Sequence, residues 1–425
     1  MRLLIKNGRV IDPASGKDET LDILIDKGKI LDLKPKINDQ DARVIDVSRR
    51  VVIPGLIDIH VHLREPGQEN KETIRSGGQA AARGGFTSIA CMPNTNPVND
   101  NSSVTEFIVA EAAKNSPVNV YPIAAITRGL KGEEITNMKE LAQAGAIAFS
   151  DDGHPVANNK TFRRAMEYSK VSDFLLIDHC EDKNLSGNGV MHEGYYSHML
   201  GLEGIPSASE EVNVARDIIL ADYIDVPVHI AHVSSKGSVA LLKAAKKKGL
   251  RISAEVTPHH LLLTDADLQS YDTDYKMNPP LRSKEDQKVL LSAIQDGTID
   301  VIATDHAPHT PDEKEAEIDF APFGVIGLET AVPVLLDKLV NPGVLTLHRF
   351  IELLSVNPAK ILGLEDKGQI SIGADADLTI LNLNRKITLD ANEFKSKSRN
   401  CPFDGWSVKG MPEMTIVGGK IVYRA

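Results

Sequence analysis

Between Gly55 and Gly363 the chain alternates short β-branched runs with helix-like stretches, and no other feature restricts its fold as much. The runs are GLIDIHVH, TSIACM, NVYPIA, AIAF, FLLIDHC, PVHIAHV, ISAEV and DVIATD, separated by segments such as SSVTEFIVAEAAKN, NKTFRRAMEYSK and GSVALLKAAKKKG. Strands that alternate regularly with helices form a parallel sheet, and eight such units predict an α/β fold, a (β/α)8 barrel of the TIM type. Helix starts are marked by side chains that can accept from exposed backbone N–H groups, Asn101-Ser102-Ser103 before VTEFIVAEA and Ser283 before KEDQKVLLSAI.

The two ends read differently. Residues 1–54 and 364–425 hold short strands with Gly turns and little helix, and each is too small for a core of its own. Pairing them gives one composite β-sandwich (1–54 plus 364–425) beside a barrel (55–363), because domain termini commonly lie together.

With 425 residues, 42% of them hydrophobic, the chain can bury a large core, which argues against disorder. A net charge of −11 offers no cationic footprint for nucleic acid or an anionic membrane. The one basic run, Lys243 to Lys248, reads as a solvated helix face. The start MRLLIKNGRVIDP lacks the apolar core of a signal peptide, and no stretch approaches the ~20 apolar residues of a membrane span, so a cytoplasmic protein is expected. Cys91, Cys180 and Cys401 are far apart and without a CxxC, which argues for reduced thiols rather than disulfides or a cysteine metal site.

In a barrel of this kind the chemistry sits at the C-terminal ends of the strands. The first run ends in His60-Val61-His62, and period-two alternation points both imidazoles the same way. The fourth leads into Ser150-Asp151-Asp152-Gly153, the fifth ends in Asp178-His179-Cys180, the sixth in His232 and the eighth in Thr304-Asp305-His306. Histidines and aspartates gathered on one rim suit zinc, which accepts imidazole nitrogen and carboxylate oxygen. By the same alternation His229 should point away from His232. His192, His198 and His348 read as loop or helix histidines, and His259-His260 is left open with a structural leaning.

The ordered motifs GLIDIHVHLREPG, CMPNTNP, FSDDG, GLEGIPSASEEVNVARD, VTPHHLLLTD, MNPPLR, IATDHAPH and APFGVIGLET resemble the cyclic amidohydrolases, and within them the bacterial class I dihydroorotases, over nearly the whole chain. The resemblance implies two zinc ions, one held by His60 and His62, the other by His179 and His232, with Asp152 between them. It also implies that Asp305 touches the first zinc and shuttles a proton. Sister enzymes that act on hydantoins, dihydropyrimidines or allantoin bridge their metals with a carboxylated lysine at the end of the fourth strand, and this chain has no lysine between Leu141 and Asn159. For the substrate carboxylate the family pattern implies Arg64, Asn94 and His309; for the ring amide and imide edges, Asn278 and the backbone of Phe323 and Gly324, with His62 beside them. Arg64 offers the planar fork that matches a carboxylate. The expected reaction is the reversible closure of N-carbamoyl-L-aspartate to (S)-dihydroorotate in pyrimidine biosynthesis. The resemblance further implies a homo-oligomer and aspartate transcarbamoylase as a partner.

The rivals are an allantoinase or hydantoinase, which would lack the Asp bridge and the carboxylate clamp, and a non-catalytic scaffold homologue, which would lack the histidines. DDGHPVANNKT and HAPHTPDEKEAEIDFAPFG are candidate lids; the second is acidic between Asp312 and Asp319, which reads as solvation.

Overall fold

Parallel strands joined through helices bury both of their faces, so each needs a covering layer outside and a filled interior. The computed structural model describes residues 2–425. Flank strands β1 (Leu3–Asp12), β2 (Lys17–Asp26), β3 (Lys29–Lys34), β4 (Arg43–Asp46) and β5 (Val51–Pro54) come first. Barrel strands β6 (Leu56–Val61), β7 (Phe86–Cys91), β8 (Asn119–Ala124), β9 (Ala148–Ser150) and β10 (Leu176–Asp178) follow. After a minor parallel pair, β11 (Met191–His192) and β12 (Gly204–Ile205), the barrel resumes with β13 (Val228–Ile230), β14 (Ile252–Val256) and β15 (Val301–Ile302). The chain then returns to the flank with β16 (Leu378–Thr388), β17 (Ser407–Val417) and β18 (Lys420–Arg424).

The eight barrel strands are those expected from the sequence, and they pair in parallel in chain order. Strands β6 and β15 share no ladder. Instead Val61 bridges His306 just beyond β15, and the His62 N–H donates to the His306 carbonyl at 2.8 Å. Lower on the same seam the buried Asp58 carboxylate accepts from the Thr304 N–H at 3.2 Å. Burial pushes that carboxyl up to about 6. Apolar side chains from six strands, Ile57, Ala90, Ile123, Ala148, Ile177 and Val301 among them, fill the interior below the rim.

Helix Ile74–Gly84 shows how the outer layer is set. Thr73 and Ser76 cap its start reciprocally, its small buried face of Gly77, Gly78, Ala80 and Ala81 packs inward, and it stops at Gly85, whose φ is 90°. A Cβ on Gly84 would run into the Leu328 carbonyl oxygen. Asn101 and Ser283 cap the helices they were expected to start, accepting from Val104 N–H and Asp286 N–H. All three cysteines are buried and free.

The two flanks come together beside the barrel as expected, and their strands form one continuous sheet, β18-β17-β16-β5-β1-β2-β3, with β4 also on β1. Strand β1 permits this: its ladder with β2 shifts between Ile5 and Gly8, and on its other edge Leu3–Lys6 pairs with β4 while Arg9–Val10 pairs with β5. The sheet curls over a core that includes Ile5, Val10, Ile23, Val52, Ile380 and Ile416. Its far ends meet where Ala376 N–H donates to Gly28 O and Gly419 N–H to Ala376 O. Between β16 and β17 the chain leaves the sheet, and Ala391, Phe394, Cys401 and Phe403 join the barrel core instead.

Helix–barrel packing this close leaves no room for one methyl group. Gly84→Ala is expected to lower stability by about 1–3 kcal/mol, read from the midpoint of urea unfolding at unchanged slope.

Candidate active site

Strands that fan into a barrel bring their C-terminal ends to one rim, and the side chains there converge on the Asp152 carboxylate. His60 Nε2 lies 3.3 Å from Asp152 Oδ1 and His62 Nε2 lies 3.5 Å from Oδ2. On the other side His179 Nδ1 is 3.6 Å and His232 Nε2 3.5 Å from Oδ1. Asp305 Oδ1 stands 3.1 Å from His62 Nε2 and 3.6 Å from His60 Nε2. Asp151 turns the other way, its carboxylate accepting from Ile126 N–H at 2.8 Å, Thr127 N–H at 2.9 Å and the Thr127 hydroxyl. Burial works against ionising Asp152 and Asp305, but His60 and the other facing imidazoles hold both carboxyls well below the usual range.

These side chains fit a divalent metal. His60 Nε2 and Asp152 Oδ1 are buried without a hydrogen-bond partner. His179 Nδ1 and His232 Nε2 lie 2.9 Å apart, a separation at which two ring nitrogens must share a proton or an ion. Three overlapping groups have ligand atoms close enough for one ion each: His60, His232 and Asp305; His60, His62 and Asp152; Asp152, His179 and His232. The second nitrogens of three of these imidazoles are occupied, as metal-binding imidazoles require. His60 Nδ1 faces Glu255 Oε1 at 2.6 Å, His62 Nδ1 faces Asn94 Oδ1 at 2.8 Å, and His179 Nε2 faces Glu181 Oε2 at 3.1 Å.

Above this cluster opens a cavity of about 480 Å³. His62, Arg64, Asn94, Asp152, His179 and His232 line it, as do Asn278, Asp305, His309, Phe323 and Gly324, while His60 is buried beneath. The Arg64 guanidinium donates through Nε to Pro308 O at 3.2 Å and brings Nη2 to 3.4 Å from His309 Nε2. Burial pushes Arg64 down to about 10, and burial together with Arg64 pushes His309 down to about 3. At neutral pH the pair is therefore one buried cation beside a neutral imidazole, with no carboxylate among the described residues in contact with the guanidinium.

The alternation argument fails at His229. It lies in the barrel interior with Nε2 3.2 Å from Glu255 Oε2, whereas His232 reaches the rim because its φ of 30° breaks the extended pattern. Arg64 (φ 62°) and Asp305 (φ 47°) are also left-handed, and such strain, on the order of 1–3 kcal/mol each, persists only where packing dictates it. His260 is a satisfied structural residue, between Thr257 Oγ1 at 2.8 Å and Pro279 O at 2.9 Å. His259 is buried with Nε2 unpartnered. His192 lies against Arg282, His198 is exposed and His348 sits by Asp18 on the flank.

Sequence reasoning passed over Glu255 and Glu181. Glu255 is fully buried and also accepts from the His232 N–H at 3.2 Å, so one carboxylate orients two candidate ligands; the only sequence signal was an acidic residue inside the apolar run ISAEV. Burial opposes its ionisation, but His60 and His229 hold it down at about 2. Glu181, in HCED just past β10, accepts from three side chains through Oε2: His179 at 3.1 Å, Lys183 at 2.6 Å and Asn278 at 2.9 Å.

Comparison with known proteins points the same way as the geometry. Residues 49–238 match the dihydro-orotase-like family and residues 335–423 the amidohydrolase family. A dihydroorotase of Pelotomaculum thermopropionicum is 55% identical over 99% of this chain and 98% of its own length. One of Geobacter metallireducens is 51% identical over the whole of both chains. Among solved structures, an L-hydantoinase (dihydropyrimidinase) of Arthrobacter aurescens superposes with a TM-score of 0.91 at 27% identity, covering 99% of this chain and 96% of that one.

Removing the carboxylate that holds the His60 imidazole and the His232 main chain should weaken metal binding without touching a ligand atom. Glu255→Leu is expected to lower metal affinity about 10- to 100-fold, and Glu255→Gln, which keeps one acceptor oxygen, less; competition with a chelator measures both.

Proposed function

Because the chain belongs to the dihydroorotase family, whose members hydrolyse a cyclic amide, we propose that it interconverts (S)-dihydroorotate and N-carbamoyl-L-aspartate as a zinc enzyme of the bacterial class I type in pyrimidine biosynthesis. One observation carries the reading: the Asp152 carboxylate stands between two pairs of imidazoles while the unpaired Arg64 guanidinium opens on the same cavity. The first arrangement suits a two-metal site that needs no lysine, and the second suits a substrate that carries a carboxylate.

In this reading His60, His62 and Asp305 hold one zinc ion, His179 and His232 a second, and Asp152 serves both. Zinc so held supplies Lewis acidity, lowering the pKa of a water and polarising the amide carbonyl. Arg64, Asn94 and His309 grip the substrate carboxylate and so set the ring above Asp152. Asn278 and the backbone of Phe323 and Gly324 then meet the ring's amide and imide edges. Asp305, with Oδ1 3.1 Å from His62 Nε2 at the cavity floor, takes the proton of the attacking water and returns it to the leaving ring nitrogen. In the closing direction the same carboxylate removes the proton from the ureido nitrogen and passes it to the departing water.

The second candidate lid is held in place by cations. Lys276 Nζ donates to Ile318 O and lies 4.6 Å from the centre of the Phe323 ring, and Lys314 Nζ donates to Pro322 O and Gly324 O, both at 3.1 Å. This loop thereby presents Phe323 and Gly324 to the substrate. No described helix is long and apolar enough to cross a membrane. Three free, buried thiols agree with a reducing, cytoplasmic setting.

Metal analysis of the purified chain together with an assay for dihydroorotate turnover tests the whole reading; a protein without zinc or without turnover would overturn it. Arg64→Ala is expected to lose about 10- to 150-fold in kcat/KM for dihydroorotate, the worth of a charge-assisted bidentate pair of about 1.5–3 kcal/mol. Turnover of neutral cyclic ureides should not depend on Arg64. Metal-free protein given zinc in carbon-dioxide-depleted buffer should regain the same activity as with bicarbonate, since Asp152 is already a carboxylate. Asp152→Ala should weaken the second zinc more than the first, as measured by zinc titration.

A further inference from the structure

Three donors of different purpose end on one oxygen atom. Glu181 Oε2 faces His179 Nε2 at 3.1 Å, Asn278 Nδ2 at 2.9 Å and Lys183 Nζ at 2.6 Å. Glu181 is 6% exposed and lines the same cavity, whereas the Lys183 side chain is half in solvent.

We propose that Glu181 is a positioning residue that fixes both the tautomer of His179 and the orientation of the Asn278 amide, coupling the second metal position to recognition of the substrate ring. The inference rests on the zinc-dependent reading above. A carboxylate only accepts hydrogen bonds, so His179 must carry its proton on Nε2, which leaves the Nδ1 lone pair directed at Asp152 and His232. For the same reason Asn278 must turn its NH2 towards Glu181. Its Oδ1 is then the atom offered to the cavity, and Asn278 accepts from a ring or ureido N–H rather than donating to a ring carbonyl. Lys183 compensates the carboxylate's charge from the solvent side, which lets Glu181 serve both partners without drawing a proton from either. A neutral acceptor of the same shape would satisfy the same three donors; an apolar residue would free Asn278 to rotate and His179 to change tautomer.

The test separates the two couplings. Glu181→Ala should lower affinity for the second zinc about 10- to 100-fold and, at saturating zinc, raise KM for dihydroorotate about 2- to 12-fold, the worth of one neutral hydrogen bond. Asn278→Ala should raise KM to a similar degree and leave zinc affinity unchanged. Because Glu181 acts on the ring through Asn278, the double variant should raise KM no further than Asn278→Ala alone. Glu181→Gln should retain most of the parent KM. Additive KM effects, or parental zinc affinity and KM in Glu181→Ala, would overturn the proposal.

A conservative swap decides the matter should Glu181→Ala not fold. Asn278→Asp alone sets two carboxylates face to face and should raise KM. Combining it with Glu181→Gln removes one of the two facing charges while keeping an oxygen towards the cavity, and should recover part of the loss; no recovery would overturn the proposal. Failure of the wider reading is distinguishable, since it would show in the parent protein as absent zinc or absent turnover.

Discussion

A carboxylate buried among four imidazoles is the constraint around which this molecule is arranged. Asp152 is almost inaccessible to solvent, and its oxygens are approached by nitrogen atoms from the ends of β6, β10 and β13. No local structure can bring those residues together, because they come from separate βα units. A barrel can, since strand tilt and closure carry every C-terminal end to one rim. Where the ideal strand would aim a side chain wrongly, the backbone yields: His232, Asp305 and Arg64 all hold left-handed torsions. The interior below and the helices outside are packed closely enough to hold that strain.

The electrostatics of the cavity divide along the same geometry. Carboxylates gather beside the imidazoles, with Glu255 and Glu181 each taking the outward nitrogen of one candidate ligand. In the same cavity the Arg64 cation lies against His309, which burial keeps neutral, and it forms no ion pair with a described carboxylate. Separating the cation from the carboxylates also keeps them from neutralising each other as a buried pair.

Distant parts of the chain support this rim. Asn400, which lies between two strands of the flank sheet, donates to Ala307 O and Gly324 O, both at 3.0 Å, and accepts from the His309 N–H at 3.3 Å. The C-terminal segment therefore braces the loop that carries His309 and Gly324. In the acidic stretch of that loop Glu313 pairs with Lys71 at 2.8 Å, so one of its charges ties the loop to the rim and is not left to solvent.

Much of this was legible in one dimension. Eight β-branched runs separated by helical segments specify the barrel, because strand and helix periodicities are local and survive in the order of residues. The HxH pair, the strand-end histidines and the Asp that follows the fourth run could be read for the same reason: position at a strand end is a local property. What the sequence could not carry were contacts between remote residues. Glu255 beneath His60, Glu181 against Asn278 and Asn400 against the His309 loop leave no periodic trace, since each is one polar residue whose partner lies in another unit. The direction of His229 and His232 was decided by a single torsion that breaks alternation. That the two flanks pair could be read from their size, but that they do so through β5 against β16 was decided by the tertiary structure, because hydrogen bonds between strands are satisfied by whichever edge packing brings alongside.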